Sequence, residues 1–315
     1  MVSGLYYLLP TKYYITFVFS FNGKIRFAPS PTGYLHQGHL LSALYVWSIA
    51  EKLNLHIHLR IEDHDKGRAR KEYIDSIYQD LEWLGFNYHS QSMQSTRQNL
   101  YQDVLKELQS QNQIYTCFCS RKQLEQENPK SPTGEIIYQG KCRNNTLNTL
   151  SNPNLPPHSL RIRILDKVIK WNDLRLGPFA ENPAKQCGDF TLLDREGCYT
   201  YQFASTVDDI EQGITHIVRG EDIRSSTARQ IYLAETICST LHIPYLRPTY
   251  LHHGLIVDDS GKKLSKRELA HSIRQDKEAG MTPEQLFGLV LCKAGFQQKP
   301  TPLPLGEALK TVTFL

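Results

Sequence analysis

Residues 24–63 read KIRFAPSPTGYLHQGHLLSALYVWSIAEKLNLHIHLRIED, and this stretch decides the fold. Residues 24–28 predict a short strand, which the turn-forming sequence Pro-Ser-Pro-Thr-Gly at 29–33 brings to an end. Apolar residues then recur at helical spacing over 39–53, and residues 56–61 alternate polar and apolar side chains as a strand does. Strand, helix and strand form a βαβ unit, whose strands pair in parallel. We therefore expect an α/β fold with ligands beyond the carboxyl ends of the strands.

Composition limits the class of protein. The chain has 315 residues, of which 40% are hydrophobic and 22% charged, so it can bury a sizeable core in one elaborated domain or in two. A formal net charge of +4 is compatible with a polyanionic partner but does not establish one. Seven cysteines, an odd number without a regular framework, indicate a reducing compartment, and we expect a cytoplasmic protein.

Residues 1–23 form an N-terminal extension before the organised sequence. Residues 1–22 are rich in aromatic side chains, and their uninterrupted apolar run is far shorter than the ~18–20 residues of a membrane span. No small-residue cleavage site follows a compact apolar core, which argues against a signal peptide. We expect no membrane association, and an extension that is poorly ordered or that results from translation starting upstream of the true domain.

The string RFAPSPTGYLHQGH at 26–39 carries the most specific chemical signal. His36 and His39 flank Gly38 at the start of the predicted helix, where unpaired N–H groups and the helix dipole attract phosphate. Gly38 permits close approach of a flat base, and both histidines can donate hydrogen bonds to a phosphoryl group as charge develops. The His-x-Gly-His quartet alone suits an ordinary helix N-terminus equally well, but the whole string favours an ATP site.

The sequence GKKLSKR at 261–267 carries a second signal. A glycine-led loop with several ammonium groups can close over a triphosphate and neutralise its charge in the transition state. Taken alone, this sequence is more typical of a solvated basic loop. Combined with the string at 26–39, it predicts that Lys263 and Lys266 bind phosphate and act in catalysis.

Cys117, Cys119 and Cys142 lie close together in the sequence. Three thiolates at such spacing suit zinc, which prefers sulfur ligands and tetrahedral geometry. A closed site needs a fourth ligand, for which the oxygen of Tyr138 is the candidate and histidine or water are alternatives. The competing interpretation is that these cysteines are small buried hydrophobic residues. The remaining cysteines lack such grouping and are expected in the core: Cys187, Cys198, Cys238 and Cys292.

Several blocks resemble, in order, those of the class I aminoacyl-tRNA synthetases. Residues 36–39 resemble the HIGH signature of that family, and residues 263–267 resemble its KMSKS loop. The flanking blocks are similar to those of glutamyl-tRNA synthetases: RFAPSPTGYLHxGH (26–39), RIED (60–63), YTYQFASTVDD (199–209) and THIVRGED (215–222). Gln37 departs from the pattern, because the family usually has an aliphatic residue there. The resemblance implies a Rossmann-like catalytic domain that uses ATP with Mg²⁺, in which His36, His39 and Lys266 stabilise the transferring phosphorus and Lys263 assists.

The resemblance also implies a glutamate pocket with two cations. Arg26 and Arg219 would hold substrate carboxylates, a task that suits the bidentate guanidinium fork. Glu62 would hold the amino group, and Tyr201 would hydrogen-bond the substrate. An ordinary ion pair at strand ends is the alternative for Arg219 and Glu62. The remaining residues of the implied pocket are Phe27, Ala28, Pro29 and Ser30.

The pattern Cys-x-Cys…Tyr-x-x-x-Cys resembles the zinc site of a short subgroup, the glutamyl-queuosine tRNA(Asp) synthetases. It implies one Zn²⁺ per chain, held by Cys117, Cys119, Tyr138 and Cys142. About 50 residues follow the basic loop, fewer than the ~100 of a typical domain, so no anticodon-binding domain is expected. The implied partners are L-glutamate, ATP and the queuosine-containing anticodon stem-loop of tRNA(Asp). We expect a monomer, in which activation of glutamate needs no tRNA.

The expected domain plan has three parts. A Rossmann-like catalytic domain at 24–250 is interrupted by an insertion at about 100–198 that carries the zinc site. Residues 251–315 supply the KMSKS-like loop and a short helical C-terminal segment. Two alternative functions remain: a truncated glutamyl-tRNA synthetase that charges tRNA(Glu), and a non-catalytic, synthetase-like RNA-binding protein. Retention of both histidines and both motif lysines argues against the second.

Overall fold

The structure, a computed structural model, describes residues 23–65, 67–145, 156–256 and 272–313. Residues 1–22 of the expected N-terminal extension lie outside the described residues. The loop that contains Lys263 and Lys266 also lies outside them.

The first part of the chain folds as the sequence predicts. Strand β1 pairs in parallel with β2, and β2 pairs in parallel with β3. These elements are β1 (Lys24–Phe27), α1 (Gln37–Leu53), β2 (His56–Ile61), α2 (Lys71–Trp83) and β3 (Ser90–Met93). Each pair of parallel strands is connected through a helix, as parallel pairing requires a long crossover connection. The βαβ unit expected from residues 24–61 is confirmed.

The rest of the chain alternates strands with helices. A 3₁₀ helix, Gln94–Arg97, precedes α3, and a second one, Glu221–Ser226, precedes α7. The elements up to the second 3₁₀ helix are α3 (Gln98–Ser110), β4 (Ile114–Cys117), α4 (Arg121–Glu127), β5 (Ser159–Ile162), β6 (Ile169–Asp173), β7 (Gly177–Glu181), α5 (Pro183–Gln186), β8 (Thr191–Leu193), α6 (Tyr201–Glu211) and β9 (His216–Gly220). Those that follow are α7 (Thr227–Thr240), β10 (Thr249–His253), α8 (Ile273–Glu278), α9 (Pro283–Lys293) and α10 (Leu305–Thr311).

Within the described parts of the chain, seven strands form the main sheet, in the order β3-β2-β1-β9-β10-β6-β7. All neighbours pair in parallel except β6 and β7, which form an antiparallel pair at one edge. The chain proceeds from β1 toward β2 and β3 on one side, and β9 and β10 lie on the other side. The order therefore reverses between β1 and β9, and a crevice for ligands forms at such a point in parallel sheets.

The interval 100–198 contributes to two sheets. Strands β4, β5 and β8 form a separate antiparallel sheet in the order β4-β5-β8. Strands β6 and β7 from the same interval instead extend the main sheet beside β10. The structure thus distributes the expected insertion between a small sheet, which carries the cysteines, and the edge of the catalytic sheet.

Helix α1 is the most buried helix of the first half, because it packs on the sheet and is also covered by the C-terminal helices. Leu44 and Ile49 are fully buried in the core that α1 shares with β1 and β2. The Ser48 hydroxyl donates to the carbonyl of Leu309 in α10 (2.7 Å) and so ties α1 to that helix. Among the residues that the structure describes, no helix combines the length and apolar character of a membrane span.

Candidate active site

A cleft lies at the carboxyl ends of β1 and β9, where the strand order reverses. Every residue expected to bind glutamate lines this cleft, with the exception of Ser30, and His39 lines it as well. The Ser30 hydroxyl instead donates to the backbone carbonyl of Glu62 (3.2 Å) and so ties the Pro-rich turn to the end of β2. Three further lining residues were not predicted: Ser42, Val218 and Ile223.

Asp209 of α6 anchors the cations on one side of the cleft. Its Oδ1 accepts hydrogen bonds from Arg26 Nε (3.0 Å) and from Arg60 Nη1 (2.7 Å). Burial alone would raise the pKa of Asp209, but the charges of Arg26 and Arg60 outweigh it and hold the pKa below its ordinary value. Arg26 also donates to the carbonyl of Val218 (3.3 Å). The Arg26 guanidinium is therefore held from β9 and α6 before any substrate arrives.

Glu62 is 5% exposed and follows directly after β2. Arg60 lies beneath the cleft and forms an ion pair with Glu62, in which Arg60 Nη2 donates to Glu62 Oε1 (3.2 Å). Burial raises the pKa of Glu62 even though Arg60 and Arg26 lower it, so the carboxylate is short of positive charge. A cation entering the cleft, such as the ammonium of an amino acid, would supply that charge.

Arg219 of β9 is held in place because it donates hydrogen bonds to side chains of three elements, α6, α7 and β10. Nη1 donates to Gln230 Oε1 (2.6 Å) and to the Tyr201 hydroxyl (3.3 Å). Nη2 donates to Thr227 Oγ1 (2.8 Å), and Nε donates to His252 Nε2 (3.1 Å). A buried guanidinium that is fixed in this way offers a pre-organised cation to a carboxylate.

In both motif histidines, the ring nitrogen Nδ1 accepts a hydrogen bond from a backbone amide. His36 is the N-cap of α1, and its Nδ1 accepts a hydrogen bond from the amide of Gly38 (3.1 Å). The Nδ1 of His39 accepts from the amide of His36 (3.1 Å), and the ring centroids are 3.8 Å apart. Because each Nδ1 accepts, each neutral ring carries its proton on Nε2. Two N–H donors thus lie side by side at a helix N-terminus, a favourable place for phosphate.

Gly38 is needed for this arrangement. A Cβ atom at this position would lie 3.0 Å from Cε1 and 3.1 Å from Nδ1 of His36. A larger residue would require the His36 ring, which makes the N-cap hydrogen bond, to shift by a few tenths of an ångström. Gly38 therefore helps to preserve the geometry of His36, a role that the sequence did not suggest. This role is additional to the predicted one, which is to leave space for a base.

His36 also lines a second cleft, which is formed by residues 32–34 and helix α8. Residue 272 pairs with His36 in an isolated antiparallel bridge. The chain therefore resumes beside His36 after the segment 257–271, which contains Lys263 and Lys266. The two histidines accordingly lie between the cleft at the ends of β1 and β9, which His39 lines, and this second cleft, which His36 lines.

Gln37, the departure from the family signature, lies away from both clefts. Its Nε2 donates to Asp276 Oδ2 (3.4 Å), and its Oε1 accepts from Lys293 Nζ (2.8 Å). The side chain is buried and joins α1 to α8 and α9. A polar residue is thus accommodated here because these two helices supply its hydrogen-bond partners.

Cys117, Cys119 and Cys142 meet beside the small sheet. Their Sγ atoms all lie within 4.8 Å of one another, and those of Cys119 and Cys142 are 3.6 Å apart. The Tyr138 oxygen is 3.5 Å from Cys117 Sγ and 3.9 Å from Cys119 Sγ, and it accepts from the amide of Cys142 (2.9 Å). A tetrahedral zinc site with Zn–S bonds of about 2.3 Å sets its sulfurs about 3.8 Å apart. The four side chains therefore fit one tetrahedral ion.

The environment of Cys117 favours the form that binds metals. Burial alone would raise its pKa, but hydrogen bonding with Tyr138 and the charge of Arg161 lower the pKa to about 7. Burial raises the pKa of Cys119 to about 11, and Cys142 adds to that effect. Of the cysteines outside this group, Cys187 and Cys238 are buried, as expected for core residues. Cys198 and Cys292 are half-buried.

Sequence reasoning missed the residues that hold the arginines: Asp209, Arg60, Gln230, Thr227 and His252. Asp209 lies within the block 199–209 and Arg60 within the block 60–63, so the family blocks contain a signal for both residues. Nothing in the sequence indicates that Gln230, Thr227 and His252 converge on Arg219, because their spacing follows from tertiary structure alone.

Comparison with known proteins defines the class to which this fold and site belong. Residues 23–301 match the family described as tRNA synthetases class I (E and Q), catalytic domain, and the chain belongs to that family. It is 37% identical to a glutamyl-Q tRNA(Asp) synthetase of Neisseria meningitidis, covering 88% of this chain and 92% of that protein. It is 36% identical to a glutamate–tRNA ligase of Aquifex aeolicus, covering 87% of this chain but just over half, 57%, of that protein.

A solved structure agrees with this assignment. The crystal structure of a glutamate tRNA ligase from Elizabethkingia meningosepticum in complex with its amino acid superposes with a TM-score of 0.74 at 28% identity. The match covers 93% of this chain and 65% of that one. The fold is therefore the α/β catalytic domain of a class I synthetase, with the mostly parallel sheet that the sequence predicts.

Proposed function

We propose that the protein activates L-glutamate with ATP and transfers the glutamyl group to queuosine in the anticodon loop of tRNA(Asp). The cleft between β1 and β9 carries this proposal. It combines two fixed guanidinium groups, Arg26 and Arg219, with the buried carboxylate of Glu62 and the ring of His39. Two cations and one anion complement the two carboxylates and the ammonium of glutamate.

Activation needs no protein nucleophile. ATP enters as its Mg²⁺ complex, and an α-carboxylate oxygen of glutamate attacks the α-phosphorus while the bond to the β-phosphate oxygen breaks and pyrophosphate leaves. His36 and His39 donate Nε2–H groups to the phosphoryl oxygens as negative charge grows. Lys266, with help from Lys263, neutralises the same charge from the loop at 261–267. Catalysis therefore consists of positioning and electrostatic stabilisation.

Transfer follows in the same cleft. A hydroxyl of the queuosine cyclopentene ring attacks the carbonyl carbon of the mixed anhydride, and AMP leaves with the bonding electron pair as the hydroxyl proton is lost. The choice of queuosine as acceptor is supported by the relatives named glutamyl-Q tRNA(Asp) synthetase, which this chain matches over 92% of their length in Neisseria meningitidis. Activation of glutamate without tRNA belongs to the same proposal.

The cysteine cluster is proposed as the site of one Zn²⁺ per chain, held by Cys117, Cys119, Tyr138 and Cys142. The donor set supports it, because three sulfurs and one oxygen at tetrahedral spacing suit zinc. Bound zinc would join the end of β4 to the segment that contains Tyr138 and Cys142. Its contribution is to local structure, since the cluster lies apart from the residues that line the glutamate cleft.

A second candidate is aminoacylation of tRNA(Glu), which the similarity to a glutamate–tRNA ligase of Aquifex aeolicus favours. Both reactions share the activation step and the cleft. They differ in the RNA that accepts the glutamyl group. The test must therefore measure activation and transfer separately.

Glutamate-dependent ATP–pyrophosphate exchange is measured first with no RNA present. Radiolabelled glutamate is then offered to tRNA(Asp) with queuosine, to tRNA(Asp) without queuosine, and to tRNA(Glu). We expect exchange without RNA, and label only in the queuosine-containing tRNA(Asp). Exchange that depends on tRNA(Glu), together with labelling of that tRNA, would replace the queuosine assignment with the second candidate. Absence of exchange under every condition would remove the proposed activity itself.

A further inference from the structure

Three side chains on neighbouring strands form a buried chain that ends at the glutamate cleft. Asp173 closes β6, His252 lies on β10, and Arg219 lies on β9. His252 and Arg219 are direct partners in the register of the parallel pair β9–β10. His252 Nδ1 lies 2.6 Å from Asp173 Oδ2, and both side chains are fully buried. The chain of side chains thus runs across three strands, from β6, which lies next to the edge strand β7, to β9 at the ligand-binding crevice.

The hydrogen bonds fix which nitrogen of His252 carries the proton. Arg219 Nε has one N–H and donates it to His252 Nε2 (3.1 Å), so Nε2 must be an acceptor. Nδ1 therefore carries the proton and donates it to Asp173. Asp173 also accepts the backbone amides of Leu176 (2.9 Å) and of His252 itself (3.0 Å), which hold its carboxylate in place.

Titration agrees with this assignment. Burial lowers the pKa of His252, and the nearby charge of Arg219 lowers it too, against the opposing effect of Asp173. Burial would raise the pKa of Asp173, but hydrogen bonds from His252 and from backbone amides bring it below its ordinary value. Near pH 7 the pair is a neutral imidazole and a carboxylate. An imidazolium would direct a second N–H toward Arg219 Nε, and the Thr227 hydroxyl beside it (3.2 Å from Nε2) already accepts from Arg219 Nη2.

We propose that Asp173 and His252 are positioning residues for Arg219 that set the affinity of the cleft for glutamate. The proposal rests on the proposed function, because it assumes that Arg219 binds a carboxylate of glutamate. Neither residue lines the cleft, and both act through Arg219. The bond to Nε fixes the rotation of the guanidinium plane. With Nε held, Nη1 stays directed at Tyr201, at the wall of the cleft.

The test uses the full-length protein and ATP–pyrophosphate exchange, with glutamate and ATP varied separately. His252→Leu removes the acceptor but retains apolar volume. His252→Gln restores an acceptor near the Nε2 position and a donor for Asp173. Asp173→Asn can direct an N–H at His252 Nδ1, which favours the tautomer that cannot accept from Arg219. His56→Leu is the control, because His56 is an exposed histidine of β2 at the amino end of the strand.

We expect His252→Leu and Asp173→Asn each to raise the KM for glutamate about tenfold or more, as loss of a charge-assisted hydrogen bond would. The KM for ATP and the kcat stay close to those of the wild type. His252→Gln recovers most of the loss, and His56→Leu changes nothing. Asp173→Asn has no further effect in a His252→Leu background, because Asp173 acts only through His252.

Two results would overturn the positioning role. One is a folded His252→Leu protein with an unchanged KM for glutamate. The other is an equal loss for glutamate and ATP, which indicates general damage to the sheet. If His252→Leu does not fold, Asp173→Asn and His252→Gln decide the same question. Wild-type protein without any glutamate-dependent exchange would instead remove the proposed function, and this proposal with it, so the two failures are distinguished.

Discussion

Arg26 Nε lies 3.0 Å from Asp209 Oδ1, although the two residues are 183 positions apart in the sequence. The pair joins the first strand of the sheet to helix α6, and both side chains are largely buried. Arg60 contributes a second hydrogen bond to the same carboxylate oxygen. One aspartate thus compensates two guanidinium groups beneath the cleft, so its charge supports both the fold and the substrate site.

Asp209→Asn is expected to lower the stability of the protein. Removal of one partner from a buried ion pair leaves the other charge uncompensated, which typically costs about 3–5 kcal/mol. Chemical denaturation followed by circular dichroism measures the loss, with Asp166→Asn as the control because Asp166 is 70% exposed. The KM for glutamate is also expected to rise, since Arg26 loses its anchor. An Asp209→Asn protein with wild-type stability would contradict the role given to this carboxylate.

Loss of the phosphate-binding groups is expected to abolish adenylate formation without abolishing glutamate binding. His39→Ala and Lys266→Ala each remove a group that acts on the developing charge, so ATP–pyrophosphate exchange should fall by about 10²–10³-fold. The dissociation constant for glutamate, measured by calorimetry, should change little. Lys262→Ala is the matched control for the loop, because Lys262 lies just outside the family motif. Unchanged exchange in either of the first two variants would overturn this assignment.

The sequence predicted the part of the fold that has a local signal. Periodicity over residues 24–61 defined the first βαβ unit, because helix and strand periods are properties of adjacent residues. The residues expected to bind glutamate could be named from family blocks, and all of them except Ser30 line one cleft. Pairing of β6 with β10 could not be predicted, since the two strands are distant in the chain. Residues 169–173 alternate buried and exposed, but such alternation suits either sheet.

The supporting side chains escaped prediction for a related reason. Gln230 and Thr227 lie on α7 and His252 lies on β10, and only the packing of these elements brings them to Arg219. A glutamine or threonine in a helix carries no signal of such a role. Gln37 is a similar case, because its partners come from α8 and α9. Polar residues with distant partners become interpretable only in the folded molecule.

Asp80 is expected to make stability depend on pH. Burial raises the pKa of this α2 carboxyl to about 6, more than Ser76, Lys277 and Arg274 lower it. Its pKa in the unfolded chain is about 4, so the folded state binds the proton more tightly. The contribution of the protonated form to stability is fully present below about pH 4 and is lost as the pH rises through about 6.

Asp80→Asn removes this dependence. The variant is expected to be more stable than the wild type at pH 7.5, by about 1–3 kcal/mol, and by about a third of that amount at pH 4.5. Urea unfolding at both pH values measures the difference. Asp75→Asn is the control, because Asp75 is an exposed acid of the same helix that pairs with Lys71. A gain of equal size at both pH values would show that charge burial is not its cause.

The cysteine cluster is expected to bind one zinc ion per chain and to stabilise the segment that carries Tyr138. That segment also contains Glu135, which accepts two hydrogen bonds from Arg229 of α7 (2.6 and 2.8 Å). Removal of the metal should therefore loosen a contact with the catalytic domain and lower the temperature of unfolding. Elemental analysis should find zinc in the wild type and in the control Cys198→Ser, but not in Cys142→Ser.

Tyr138→Phe tests the fourth ligand. Loss of the oxygen should weaken zinc binding in a competition with a chromophoric chelator, whereas the three sulfurs retain part of the affinity. Glutamate-dependent pyrophosphate exchange should persist in this variant, because the cluster does not line the glutamate cleft. Wild-type affinity in Tyr138→Phe would assign the fourth position to water or histidine. A chelator-washed wild type that contains no zinc and yet keeps its unfolding temperature and its activity would refute the metal site, since cross-linking by zinc is the only contribution proposed for it.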